Sequence, residues 1–212
     1  MTELIQEICG AVLEGNLDLA VEKTNAALEE GTEAGTILQE GLTKAMQEVG
    51  RLFERGEFFV PEMLIAARAM QGSLELLKPH LVKADFKPIG TLVIGTVQGD
   101  LHDIGKNLVA MMTEGAGFQI EDLGADVSPE RFIEAVKENN ASLVGMSALL
   151  TTTMPMMEKT IKAFEEAGIR NSVKIIIGGA PVTQDYAEQI GADGFAPDAS
   201  RAANLSKSLL DR

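Results

Sequence analysis

Asp100 and His102 stand two residues apart in the segment TLVIGTVQGDLHDIGKN (91–107), directly after an apolar run and just before Gly105. A carboxylate at this spacing, in a loop leaving a strand, reaches one nitrogen of the imidazole. It then sets the tautomer and basicity of a ring whose other nitrogen can bind a metal. Farther along, Ser147 and the hydroxyl run Thr151-Thr152-Thr153 follow a second apolar run, and Gly178-Gly179-Ala180 follow another. Paired glycines let the backbone approach something flat or bulky closely, or simply form a tight turn. Other readings of the first segment compete. GDLHDIGKN has one residue too many between its glycines for a phosphate loop of the form G-x-x-x-x-G-K-[ST], and Asn107 stands where the hydroxyl belongs. A dinucleotide G-x-G-x-x-G is absent. A polar loop whose histidine bonds only to its neighbours is the plainest alternative. The chain has two histidines, so imidazole chemistry must use His80, His102 or both. His80, beside Pro79 and among lysines, reads as a surface residue.

The elements that position these groups follow from periodicity. From Thr91 onward short apolar runs alternate with helical patterns. Strands are expected at 91–97, 118–123, 142–147, 173–177 and 194–196, and helices at 103–115, 128–139, 153–167, 182–190 and 199–210. Such alternation means a doubly wound parallel sheet, and five units suit the flavodoxin-like order 2-1-3-4-5. In that order strands 1 and 3 are neighbours whose helices leave on opposite faces. A crevice opens at their carboxyl ends and brings Asp100 and His102 to Ser147 and the threonines.

Residues 2–80 are helical in pattern throughout. Ile5, Ile8, Val12 and Leu13 mark one face before Gly15. A second helix covers Leu17 to Leu28, a third Thr32 to Arg55, and a fourth starts near Pro61 and runs to about Leu77. Short turns between four helices predict an antiparallel bundle over residues 1–80. Phe53, Phe58, Phe59, Val60 and Met63 cluster at its last corner, either as core or as an apolar lid over a ligand. KPHLVKADFKPIG (78–90), with two prolines and a glycine, reads as linker sequence, which sets the domains at 1–80 and 91–212 with a linker over 81–90.

The 212 residues carry a formal net charge of −14, which argues against nucleic acid or anionic membrane as partner and suits a soluble protein that meets other proteins. One cysteine, Cys9, excludes an internal disulfide framework and a cysteine-based cluster, and its place in an amphipathic helix favours packing. No apolar run is long enough for a membrane span, and the acidic N-terminus is not a signal peptide, so a cytoplasmic location is expected.

Asp100-Leu101-His102-Asp103-Ile104-Gly105, Ser147-Ala148-Leu149 and Gly178-Gly179, in this order at the expected strand ends, resemble the D-x-H-x-x-G, S-x-L and G-G signature of cobalamin-binding modules. The resemblance is to corrinoid proteins of methyltransferase systems, related to the cobalamin-binding region of methionine synthase. VGRLFERGEFFVPEMLIAARAM resembles the family's four-helix cap. The resemblance implies a cobalamin cofactor with His102 as the lower axial ligand of cobalt, Asp100 on the other imidazole nitrogen, and Thr153 completing the relay. It places Gly99 to Gly105, Ser147, Leu149, Thr151, Gly178, Gly179 and Ala199 around the cofactor, several of them along its displaced nucleotide tail. Phe53, Phe59, Val60 and Met63 match cap residues that shield the upper face of cobalt. In one departure, a glutamate of the methionine synthase cap aligns with Gln39.

By the same resemblance the chain would be a carrier without turnover of its own. It would accept a methyl group on cob(I)alamin from a substrate-specific methyltransferase. It would give that group up, as methylcobalamin, to a second methyltransferase acting on coenzyme M or tetrahydrofolate, with a reductive activase rescuing cob(II). The helical cap would act as a lid hinged at the linker. A cobalamin-dependent sensor, the small subunit of a cobalamin-dependent mutase and a plain nucleotide-binding flavodoxin-like domain are the alternatives.

Overall fold

In the computed structural model residues 2–210 are described, and they form two compact units. Among the described residues one comprises 2–87 with Gly115–Gly117, the other 88–114 and 118–210.

The first unit is helical. It holds α1 (Glu3–Leu13), α2 (Leu17–Glu29), the short turn α3 (Ala34–Thr36), α4 (Lys44–Glu54) and α5 (Val60–Lys83), with a π-helical stretch over Ile37–Thr43 joining α3 to α4. The single helix expected from Thr32 to Arg55 is therefore continuous in direction but underwound in its middle, and Gln39 lies exposed in that stretch. Asn16 caps α2 by accepting from Leu19 N at 3.1 Å. At the start of α5 the Glu62 carboxylate accepts the Phe59 N–H at 2.9 Å, and Pro61 occupies an early position that needs no N–H donor.

The helix passes through Pro79 and ends only at Lys83, so residues 78–83 are not part of a linker, and the irregular stretch is 84–90. Pro79 lies on the exposed face, while Leu74, Leu77 and Leu81, at helical spacing, are buried and hold the last turns down.

Cys9 on α1 is half-buried. Burial pushes its thiol up from the ordinary value; the Glu48 carboxylate adds to this and Lys44 opposes it. A raised pKa means less thiolate at pH 8. Iodoacetamide should label the native chain several-fold more slowly than the urea-unfolded chain. The rate should also inflect at higher pH in the native protein. Equal inflection points would show that the environment does not perturb the thiol.

The second unit is α/β. Its strands are β1 (Thr91–Thr96), β2 (Gln119–Asp122), β3 (Leu143–Ser147), β4 (Lys174–Gly178) and β5 (Gly194–Phe195). All pair in parallel, in the order β2-β1-β3-β4-β5. The helices are α6 (Ile104–Gly115), α7 (Pro129–Asn139), α8 (Pro155–Glu166), α9 (Gln184–Ile190) and α10 (Ala199–Leu210). The expected strands and helices of this half are present with ends shifted by one or two residues.

The two faces of the sheet differ in side-chain size, and this difference builds the site. One face carries Val93, Val144, Met146, Ile175 and Ile177, packed with Phe132 of α7 and Met157, Ile161 and Phe164 of α8 into a dense core. Alternation along the strands sends Ile94, Gly145, Ser147, Ile176 and Gly178 to the other face. There, glycines at the centre of β3 and the end of β4 remove the layer that a full set of side chains would fill.

Candidate functional site

Asp100 and His102 sit in the loop between β1 and α6, at the carboxyl edge of the sheet beside β3. The Asp100 carboxylate is 0% exposed, and every partner around it is a donor. Oδ1 accepts from the His102 backbone N–H at 3.1 Å and lies 2.7 Å from His102 Nδ1. Oδ2 accepts from Leu149 N at 2.8 Å, Leu150 N at 3.3 Å and Thr153 Oγ1 at 2.7 Å. Burial alone would push this carboxyl up. The bonds from Thr153, His102 and Leu149 overcome it and hold Asp100 well below the usual carboxylate range.

Asp100 is therefore ionised at neutral pH and can only accept, so Nδ1 carries the hydrogen. A neutral His102 then has its lone pair on Nε2, and its side chain is 52% exposed. The arrangement is an imidazole whose tautomer is set by a buried carboxylate and whose Nε2 is left able to bind a metal.

Around His102, Leu101, Ile104, Leu149 and Leu150 are all exposed, an apolar rim that suits a flat hydrophobic partner. Below the rim a cavity of about 510 Å³ enters between the sheet and helices α6 and α10. His102, Asp103, Ile104 and Gly105 line its mouth, Ser147, Leu149, Gly178 and Gly179 its wall, and Ala199 and Ala202 of α10 the far side. A Cβ on Gly145 would stand 3.1 Å from Ile94 Cγ1 and crowd this slot.

Of the residues expected to act together, Asp100, His102 and Thr153 are in direct contact. Leu101, Asp103, Ile104, Gly105, Ser147, Leu149, Gly178, Gly179 and Ala199 line one cavity with His102. Thr151 is exposed and does not line it, and Gly99 shapes the loop from outside, with φ of 85°. In the helical unit Phe59 is 63% exposed and Val60 is also exposed, whereas Met63 is 1% exposed and Phe53 half-buried. Phe59 and Val60, with Leu64 and Ile65 on the same helix, present the apolar surface there.

The family profile described as a B12 binding domain matches residues 90–204, and a second profile of the same description matches residues 4–78. The chain belongs to the B12-binding family.

Among curated relatives, this B12-binding chain is 44% identical over 212 residues to dimethylamine corrinoid protein 1 of Methanosarcina acetivorans, covering 98% of both chains. It is 41% identical over 210 residues to trimethylamine corrinoid protein 1 of the same organism, covering 98% of this chain and 97% of the relative. Among solved structures it resembles the methanol:cobalamin methyltransferase complex of Methanosarcina barkeri, with a TM-score of 0.89 and 32% identity, over 99% of this chain and 80% of that one. A cobalamin-binding protein from Desulfitobacterium hafniense matches with a TM-score of 0.81 and 31% identity, over 98% of both chains.

Cobalamin is the cofactor of this corrinoid protein, and the residues fit it. The donor set is one imidazole with a free Nε2, which suits a metal that arrives with its other ligands in a macrocycle. The apolar rim offers a bed for that macrocycle, and the slot beside His102 has the volume to take a long substituent.

Three contacts around the β1–α6 connection were not readable in advance. The Thr96 hydroxyl donates to the His102 carbonyl at 2.9 Å. Asp126, in a left-handed conformation with φ of 57°, accepts the Gly99 N–H at 2.7 Å and donates its own N–H to the Asp100 carbonyl at 3.0 Å. Lys106, buried, spans to both carboxylate oxygens of Asp122 at 2.6 and 2.5 Å and to Asn107 Oδ1 at 2.6 Å. A lysine one residue past Gly105 and an aspartate ending an apolar run were visible as residues, but nothing local pairs them.

Proposed function

We propose that this corrinoid protein is a methyl carrier. A substrate-specific methyltransferase loads it, and a second methyltransferase, acting on coenzyme M or tetrahydrofolate, unloads it. The relatives named for dimethylamine and trimethylamine support a methylamine as the donor, and the methanol complex supports a methyltransferase as the loading partner. When bound, cobalamin supplies the cobalt that accepts and releases the methyl group.

The observation that carries this reading is the ionised, five-partnered Asp100 behind a half-exposed His102. His102 Nε2 would ligate the cobalt. Asp100, itself held by the Thr153 hydroxyl, would hold the imidazole's other nitrogen and govern how firmly it binds. Ser147, Gly178, Gly179 and Ala199 would line the slot for the nucleotide tail, and Phe59 and Val60 would shield the bound cofactor. The irregular residues 84–90 would be the segment about which that shield moves aside for each partner. A reductive activase would restore the reduced carrier, in the cytoplasm; among the described residues no helix is long and apolar enough to cross a membrane.

Reconstitution tests the ligand. The wild type, grown with 15N-histidine, loaded with hydroxocobalamin and reduced to Co(II), should give an EPR spectrum split by one 15N imidazole nitrogen, which the cofactor's own unlabelled base cannot produce. His102→Gly should lose that splitting and hold the cofactor roughly tenfold or more less tightly. A wild type without the 15N splitting, or a 15N splitting that survives in His102→Gly, would remove His102 from the metal. Turnover with a methylamine-specific methyltransferase, absent with methanol's, tests the donor.

A further inference from the structure

Asp100 grips His102 by its backbone N–H and its ring, but it leaves the other side of the residue alone. That side is held by Thr96. Thr96 Oγ1 donates to the His102 carbonyl oxygen at 2.9 Å, across a loop of five intervening residues.

Thr96 is a rigid anchor. It is the last residue of β1, fully buried, and paired in register with Ser147 of β3. Its own backbone is committed, its N–H to the Gly124 carbonyl at 2.9 Å and its carbonyl to the Val127 N–H at 3.0 Å. Its branched side chain has few rotamers, so the hydroxyl direction is fixed by the strand. The His102 carbonyl lies just outside helix α6, where Asn107 N bonds one residue later, to the Asp103 carbonyl, at 2.8 Å. The Thr96 hydroxyl thus ties the sheet to the one residue whose side-chain direction the metal site depends on.

We propose that Thr96 is a positioning residue for the His102 imidazole. It fixes the His102 backbone on the carbonyl side as Asp100 fixes it on the amide side, so that Nε2 points out of the loop at a constant angle. Ligand groups act only when held to within a fraction of an ångström, and a loop residue pinned on one side alone swings about that pin. This inference rests on His102 being the cobalt ligand, as proposed above.

The test compares Thr96→Val, nearly isosteric but without the hydroxyl, with Thr96→Ser, which restores it. Each full-length variant is loaded with hydroxocobalamin, its dissociation constant measured, and its Co(II) EPR spectrum recorded beside a urea unfolding curve. Thr96→Val should bind hydroxocobalamin roughly fivefold to tenfold more weakly, and part of its spectrum should lack imidazole splitting. Thr96→Ser should return both to within about twofold of wild type. Thr96→Ala removes the same hydroxyl and serves if the valine variant does not fold. Wild-type splitting and affinity in a variant without the hydroxyl would overturn the proposal. So would a lowered urea midpoint with an unchanged spectrum, which is the mark of a merely structural bond. If the wild type itself shows no imidazole splitting, the assignment of His102 fails first and this inference falls with it.

Discussion

Asp100→Asn, a change of one atom that preserves shape, should cost the protein either stability or the tautomer that leaves His102 Nε2 able to bind a metal. Every group around the two carboxylate oxygens is a donor or is held as one. An amide must turn its NH2 toward one set or the other. Turned toward Leu149 N and Leu150 N, it sets N–H against N–H in a fully buried position. Leaving those donors unpaired costs about 1–3 kcal/mol in unfolding free energy. Turned toward His102, it donates to Nδ1, and the ring hydrogen must move to Nε2. The lone pair that would meet the metal is then gone, which is the wrong-tautomer effect known from carboxylate-to-amide changes beside catalytic histidines.

Asp100→Asn should therefore lose stability or ligation, and roughly tenfold or more of cofactor affinity in the second case. Urea denaturation of the apoprotein and Co(II) EPR of the loaded protein separate the two. Thr153→Val should be milder. The Thr153 hydroxyl has one hydrogen for two acceptors, Asp100 Oδ2 at 2.7 Å and the Leu150 carbonyl at 2.9 Å, and the carboxylate keeps its other donors when it is lost. A fully stable Asp100→Asn protein with undiminished imidazole splitting would show that the buried carboxylate does not set the tautomer.

The relay was legible because its parts announce themselves separately. An aspartate two residues before a histidine, after an apolar run, is a local pattern. A parallel sheet in the order 2-1-3-4-5 then brings the β3 loop, with Thr153, to the same edge. Strand–helix alternation after Thr91 fixes that order with few options. Thr96 gave no such signal, since a threonine within an apolar run is ordinary strand composition, and its hydroxyl matters only through a carbonyl that sequence does not show. Asp126 acts through a left-handed backbone conformation, and Lys106 meets Asp122 across sixteen residues. Both depend on how loops fold back over the strand ends.

In the helical unit, the prolines of 78–90 point to a linker, yet α5 continues through Pro79. A proline does remove an N–H from a helix interior, but three buried leucines at helical spacing hold the chain helical past it, and tertiary burial outweighs the local preference. The π-helical stretch over Ile37–Thr43 likewise leaves no mark in an apolar pattern that 3.6-residue periodicity already satisfies.

Gly179→Ala should be the most damaging single methyl addition at the site, and Gly178→Ala, its neighbour, a mild one. Gly179 has φ of 133°, where a side chain is strained in itself, and a Cβ there would lie 1.9 Å from the Ala148 carbonyl oxygen and 2.9 Å from its carbon. Backbone, unlike the end of a flexible side chain, cannot give way cheaply. The next N–H after Ala148 is Leu149 N, which bonds Asp100 Oδ2 at 2.8 Å, so pushing that peptide aside loosens the carboxylate behind His102. The glycine pair is thereby coupled to His102 through the Ala148–Leu149 peptide and Asp100 as well as lining the slot. At Gly178 the added Cβ would meet only the Ala196 carbonyl, at 3.0 Å, and without positive-φ strain. Gly179→Ala should lower unfolding free energy by about 3–5 kcal/mol and Gly178→Ala by about 1 kcal/mol. In whatever Gly179→Ala protein folds, hydroxocobalamin affinity and imidazole splitting should fall together. Equal unfolding midpoints for the two variants would mean that the Ala148 peptide is free to move, and the rigid link between slot and relay would then be wrong.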